Sequence, residues 1–197
     1  MFLLDQSRRD SAIATTRSVV AVAALVTLAG AFNAAASELE LSTRRDGEGV
    51  AIIARARLTV SIEAAWQVLT DYERYPAFLP DMASSKVMSR EANRLVVEQR
   101  GEMRFLWIRM PLLVTMKVVE TSPTRVESTL ISGTLRELRG RYDLVRDASG
   151  LQFVYSARVV PADEHSSLFD HVAIRANVSL QLEALGREIE RAGQKRE

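Results

Sequence analysis

Residues Asp71–Met82, DYERYPAFLPDM, place two tyrosines, a phenylalanine, a leucine and two prolines within twelve positions. The run that leads into them reads as a short helix. Ser61 and Glu63 supply a capping signal, and Ala65, Leu69 and Tyr72, or Trp66, Leu69 and Tyr72, recur at helical spacing. A residue that precedes proline is pushed out of the helical region, so Tyr75-Pro76 and Leu79-Pro80 punctuate the chain, with space for a second helical turn between them. Apolar groups in that number must be buried either at the end of a packed core or over a cavity, and both demand the same chemistry.

The flanking segments alternate instead. Upstream, Val50, Ile52, Ala54, Ala56, Leu58 and Val60 fall on one face and Arg55, Arg57 and Thr59 on the other, the period of a half-buried strand. Residues 37–48 are polar and read as a leader strand or a mobile terminus. Downstream, Leu95, Val97, Gly101, Met103, Phe105 and Trp107 share a face against Arg94, Glu98, Arg100, Glu102 and Arg104. Further alternating rows follow at Val114–Val118, Val126–Leu130, Leu138–Leu144 and Leu151–Val159. About six strands joined by short turns predict an antiparallel meander with one wet and one dry face. The dry face needs a cover, and Leu168–Ala192 offers one as a long helix capped by Ser166 or Ser167. Ile174, Val178, Leu182, Leu185 and Ile189 form one apolar stripe on it, and Phe169, Ala173, Ala176 and Leu180 a second.

Composition sets the outer bounds. A chain of 197 residues with 47% hydrophobic and 26% charged residues suits one packed domain. Residues 1–36 stand apart: Arg8, Arg9 and Arg17 precede an uncharged run, Ser18–Ala36, that ends in three alanines, the pattern of a secretory signal cut before Ser37. The alternative is an uncleaved membrane anchor, since the run is about as long as the ~20 residues a spanning helix needs. Cleavage implies an exported, periplasmic protein. Ser7–Ser11, SRRDS, resembles the start of a twin-arginine signal without its apolar continuation, which leaves the export route open. Residues 1–36 hold three of the 26 basic and two of the 25 acidic residues, so their removal leaves 23 of each and no electrostatic reason to bind nucleic acid. With no cysteine, the core alone must hold the fold. Two histidines, His165 and His171, without an acidic cluster at ligand spacing, give no metal site, and no cofactor is implied.

The order of strand, short helix pair, six strands and long C-terminal helix resembles the α+β helix-grip fold of the START-like (SRPBCC, Bet v 1-like) superfamily, a curved antiparallel sheet wrapped around its C-terminal helix. Val60–Met88, VSIEAAWQVLTDYERYPAFLPDMASSKVM, is similar to the opening of its polyketide cyclase/dehydrase and coenzyme Q-binding (Coq10-type) branch, with Ala65, Val68, Asp71, Tyr75, Pro76, Phe78, Leu79 and Pro80 at matching places. Gly133–Arg191 also resembles this group, so the domain runs from residue 49 to 197. The resemblance implies that the two short helices close one end of a cavity between sheet and long helix, with Tyr75, Pro76, Phe78 and Leu79 as a rigid apolar lid.

Few ionisable groups fall on the inward phase. Gln99, Ser128, Tyr142 and Tyr155 are the polar candidates, Asp71 suits a helix-junction cap, and His165, Asp170 and His171 lie near the start of the last helix. No catalytic residue is assigned on this pattern, because general acid–base work needs tuned groups inside the cavity. Binding fits better. Met103, Phe105, Trp107, Met110, Met116, Tyr142, Phe153, Tyr155, Phe169, Ala173 and Ala176 combine aromatics, flexible methionines and small helix residues, a composition suited to an apolar pocket with polar handles, or to a close-packed core. The expected partner is a hydrophobic small molecule such as an isoprenoid quinone, fatty acid or other lipid. A cyclase-like enzyme is the alternative, favoured if Tyr142, Tyr155 or His171 converge with shifted pKa values. A third reading is a protein-interaction module without ligand. Phe105–Val114, FLWIRMPLLV, bears on partners: Leu106 and Ile108 fall on the outward phase and offer an apolar patch to a membrane or a protein, unless a bulge before Pro111 turns them inward.

Overall fold

The alternating segments all become strands of one sheet. The computed structural model describes residues 39–148, 150–162 and 171–195. Residues 36–197 form a compact unit that carries the whole described core. The strands are β1 (Glu40–Asp46), β2 (Gly49–Leu58), β3 (Met82–Glu91), β4 (Arg94–Phe105), β5 (Ile108–Thr121), β6 (Arg125–Gly133), β7 (Leu135–Asp147) and β8 (Gly150–Pro161), with helices α1 (Ile62–Thr70) and α2 (His171–Gln194). Their spatial order is β1-β2-β8-β7-β6-β5-β4-β3, antiparallel throughout. The polar leader is thus a strand, paired along β2 from Glu40 opposite Arg55 to Asp46 opposite Gly49. β3–β8 form the six-stranded meander, and β2 joins it through β8 rather than through its sequence neighbour β3. The curved sheet and C-terminal helix make the α+β helix-grip fold.

Helix α1 begins where the capping signal lies: the Ala64 N–H donates to the Ser61 hydroxyl at 3.2 Å. It buries Ala64, Ala65, Val68 and Leu69, and stops at Asp71, after which Tyr72–Ala77 tighten into a 3-10 helix around Pro76. Helix α2 lays Ile174, Leu182, Leu185 and Ile189 against the sheet. The expected second stripe does not survive intact. Ala173 is buried, but Ala176 and Leu180 face solvent. Ala176 lies two residues past Ile174, about 200° around a helix of ~3.6 residues per turn, so it cannot share that face. Phe169 lies outside the described residues.

The other correction concerns the end of β4. Phe105 pairs with Ile108, so Leu106 and Trp107 form a two-residue hairpin loop, and Trp107, expected to point inward, is 84% exposed. The strand period ends at Phe105 because Leu106 takes a positive φ of 55°, the bend such a short loop requires. The side chains of Phe105 and Ile108 are outside the described set. No bulge precedes Pro111, which pairs with Glu102 inside β5. The Glu102 N–H turns to the Asp81 carbonyl on the β3 side at 2.9 Å, so its partner Pro111 aims its missing donor away from β4. β6 pairs with β5 only from Val114 onward, so no ladder bond is lost at Pro111.

Candidate functional site

The space between sheet and α2 is filled at one end and open at the other. Near α1, the interior is close-packed by Leu69, Leu95, Val97, Met116, Leu144 and Phe153, all buried. Towards the β4–β5 hairpin, a cavity of about 240 Å³ opens between the later half of β4, the start of β5, the start of β7, the end of β8 and the N-terminal half of α2. Val178 of α2 lines it opposite Leu138 and Val159 of the sheet.

Five of the expected site residues line this cavity: Tyr75, Leu79, Met103, Tyr142 and Tyr155. Met116 and Phe153 are core residues beneath it, Ala173 is buried but not in its wall, and Phe78 stands behind Tyr75 with ring centroids 5.7 Å apart at 70°. Trp107 and Ala176 are on the surface. Gln99, one of the polar candidates, does reach the cavity and donates to Ser85 Oγ at 3.3 Å, whereas Ser128 donates to the Gly140 carbonyl and takes no part in the wall. His171 is exposed at the start of α2 and also lies outside the wall. Asp71 sits between α1 and the 3-10 helix with its carboxylate 3.5 Å from Arg74.

The lid is anchored from below and from the side. The buried Tyr75 hydroxyl donates to the Leu69 carbonyl at 2.7 Å, tying the 3-10 helix to the end of α1. Tyr72 donates to Glu120 at 3.0 Å, and the two rings meet edge to face at 5.8 Å. Gln181 of α2 donates to the Pro80 carbonyl, holding the lid's last turn against the helix. Asp81 then reverses the chain with φ 59° and binds Arg104 Nε at 2.8 Å.

Two phenols stand together on the cavity floor. Tyr142 and Tyr155 are direct partners across β7 and β8, stacked at 4.7 Å and 30°, and Tyr142 also touches Phe153 at 5.6 Å. A side chain at Gly140 would lie 2.8 Å from the Ser128 hydroxyl, so this glycine makes room for the neighbouring strand, while the Tyr155 ring at 3.8 Å would be in ordinary contact. Neither hydroxyl has a hydrogen-bond partner among the described residues. Burial pushes the Tyr155 phenol up to about 12 and the Tyr142 phenol well above its ordinary value, so both remain neutral donors at any physiological pH. A phenol held that far from neutrality is a poor proton shuttle, yet it is a good hydrogen-bond donor. Tyr142 and Tyr155 thus converge in one cavity with raised pKa values, whereas His171 stands outside its wall.

The rim was missed from the sequence. Asn177 and Gln181, one turn apart on α2, border the cavity with Asp81, Arg100 and Glu102. Their signal was two amides at i and i+4 set among Ala173, Ile174, Val178, Leu182 and Leu185, where a helix buried against a dry face carries apolar groups.

Comparison with known proteins agrees with this architecture. Residues 58–187 match the family model for polyketide cyclase/dehydrase and lipid transport. The chain belongs to this family. Among solved structures, a STAR-related lipid transfer protein from Xanthomonas axonopodis superposes with a TM-score of 0.63 at 14% identity, covering 77% of this chain and 93% of that one. The Zhui aromatase/cyclase from Streptomyces sp. R1128 gives 0.51 at 11% identity, covering 81% and 93%. One protein of Thermus thermophilus gives 0.61 at 12%, covering 74% and 98%. At these identities the likeness is one of fold. A comparison with curated protein sequences returns no match.

Proposed function

We propose that this protein binds an apolar small molecule carrying at least one oxygen, with the Tyr142 and Tyr155 hydroxyls on that oxygen and the apolar remainder along Leu79, Met103, Leu138, Val159 and Val178. The observation that carries the reading is a pair of phenols, without a hydrogen-bond partner among the described residues, at the floor of a cavity whose wall is mainly apolar. A hydroxyl taken out of water without a partner costs about 1–3 kcal/mol, and a ligand oxygen on these partly buried phenols would spare that cost as the cavity fills. The apolar body would contribute about 25 cal/mol for each Å² taken from water. A cavity of about 240 Å³ is smaller than most ligand pockets, which run from roughly 300 Å³ upward. The ligand therefore enters as a ring or a short chain, and any longer tail leaves by the rim. A quinone with its ring on the tyrosines or a fatty acid with its carboxyl there both fit this description, as does a polyketide-like ring.

The reading extends to location. We take residues 1–36, which lie outside the described residues, as a cleaved export signal, and the protein as one that handles its ligand outside the cytoplasm.

The deciding experiment is organic extraction and mass spectrometry of residues 37–197 purified without detergent from the exported fraction, followed by uptake of a quinone and fatty-acid panel. A stoichiometric oxygen-bearing apolar compound supports the reading. Tyr142→Phe and Tyr155→Phe should each weaken uptake by about tenfold while leaving the fold intact. An empty protein that takes up nothing from the panel overturns the reading and leaves an interaction module in its place.

A further inference from the structure

The loop between β4 and β5 is built against its own economy. Its first residue has a positive φ, a position where glycine or asparagine is least strained, and yet it is Leu106. Leu106 is 73% exposed and Trp107 84% exposed, the two most exposed large hydrophobic side chains among the described residues. Neither belongs to a core cluster of the described residues. Directly behind the tip, Arg104 and Arg109 face each other across the hairpin, their side chains 47% and 65% exposed. Glu102, one step further back, is near both guanidiniums, and Asp81 takes Arg104. Met103 of the same hairpin lines the cavity, and Asn177 at the cavity rim binds the Arg104 backbone.

We infer that this hairpin is a membrane-docking tip: Leu106 and Trp107 insert at the apolar boundary of a lipid bilayer while Arg104 and Arg109 meet anionic headgroups. The chemistry matches by depth. Tryptophan favours the interface, where its ring is in hydrocarbon and its N–H in the wet layer. Leucine beside it supplies insertion, and guanidiniums one residue back lie at headgroup level. A protein partner suits the tip less well, since a stable interface covers about 800 Å² on each side and two residues at a hairpin end cover a fraction of that. A bilayer needs no matching surface. Docking in this pose brings the Met103 side of the cavity rim to the lipid, so an apolar ligand passes between bilayer and cavity without crossing water. The inference stands apart from the identity of any ligand, because the tip is complete when the cavity is empty.

The test uses residues 37–197, whose core is self-contained, because the apolar run at 18–36 would partition into lipid by itself. With Trp66→Phe, Trp107 is the one remaining tryptophan and reports its own surroundings. Mixed with vesicles of equal parts phosphatidylglycerol and phosphatidylcholine, its emission should shift to shorter wavelength and be quenched by bromine-labelled acyl chains. Replacing Leu106 and Trp107 together by serine should lower vesicle partitioning at least about tenfold, with the melting temperature unchanged since both side chains are exposed. Arg104→Gln with Arg109→Gln should remove the preference for phosphatidylglycerol over pure phosphatidylcholine. Unshifted emission in lipid, or equal partitioning of the serine variant, overturns the inference. So does a tip-dependent self-association seen in sedimentation velocity without vesicle binding, which would assign the tip to a second copy of the chain. Neither result bears on whether the cavity holds a ligand, which the extraction experiment decides separately.

Discussion

Asn177 on α2 binds the Arg104 backbone as a neighbouring strand would: the Arg104 N–H donates to Asn177 Oδ1 at 3.0 Å, and Asn177 Nδ2 donates to the Arg104 carbonyl at 2.7 Å. β3 begins at Met82, opposite Gly101, so the last residues of β4 have no strand on that side. A single carboxamide, carrying one donor group and one acceptor, closes this edge and fixes the helix to the cavity rim. Asn177→Leu should therefore cost about 1–2 kcal/mol in urea unfolding. It should also speed amide hydrogen exchange at Arg104 well beyond the change in the core strands. Uniform acceleration across the sheet would show that the amide has no local role.

Alkaline titration reads the interior directly. All four tyrosines have raised pKa values: Tyr72 and Tyr75 through burial first and then neighbouring negative charge, Tyr142 and Tyr155 through burial. The unfolded chain loses phenol protons near pH 10 and the folded chain keeps them, so the native state binds more protons above that pH. Stability is then fully present below pH 10 and falls as pH rises towards the folded values, by about 1.4 kcal/mol per pH unit for each tyrosine. Phenolate absorbance at 295 nm should appear together with loss of the fold, in one cooperative step. A tyrosine titrating at pH 10 in the intact protein would contradict the buried floor.

Much of this architecture is legible in the residues, for physical reasons. Alternation at β2, β4, β7 and β8 is strong because one face of each strand meets the helix and the other meets water, and Pro76 and Pro80 mark the lid because proline forbids a longer helix. Trp107 misled because no glycine, asparagine or aspartate announces the hairpin; the loop is made of Leu106 and Trp107, which read as two more strand residues. Ala176 misled because alanine is silent about burial. Asn177 and Gln181 were passed over since their partners, backbone carbonyls and an amide of β4 and the lid, are far away in sequence. Whether inward residues fill space or leave it was beyond composition: Met116 and Tyr142 read alike, yet one is packed core and the other a cavity floor.

Two glycines separate close approach from open space. A side chain on Gly101 would lie 2.4 Å from the Asp81 carbonyl oxygen and 3.3 Å from Met82 Cα, both backbone atoms of the lid's exit. Gly101→Ala should cost about 1–3 kcal/mol, because backbone has to move. Gly186, in α2, has nothing within 4 Å of the same position. Gly186→Ala should stabilise by about 1 kcal/mol through helix propensity alone. Equal effects in thermal unfolding would mean that the β4 edge does not pass the lid as closely as described.

Glu188 couples the far end of α2 to the lid. It is buried, with Arg191 donating to both its oxygens and Arg74 of the 3-10 helix at 3.2 Å, and the Arg191 hydrogen bonds hold its carboxyl below the usual range against the opposing effect of burial. A depressed carboxylate contributes stability that is present above its unfolded value and lost as pH falls through the folded one. Glu188→Gln should cost about 1–2 kcal/mol at neutral pH, discounted because both guanidiniums are half exposed, and should flatten the loss of stability below pH 4.5. An unchanged acid limb in urea titrations would place the coupling elsewhere.

Filling the cavity distinguishes an open site from a tight core. Val178 points from α2 into the cavity. If the space is open, Val178→Phe adds apolar contact without displacing neighbours, and stability should rise by about 1 kcal/mol. If the space is already packed, the same change forces side chains off their rotamers and stability should fall by about 1–3 kcal/mol. We expect the rise, accompanied by loss of uptake for any ligand that reaches Tyr142 and Tyr155. Higher stability with uptake retained would move the ligand out of this cavity, whereas lower stability would remove the cavity itself.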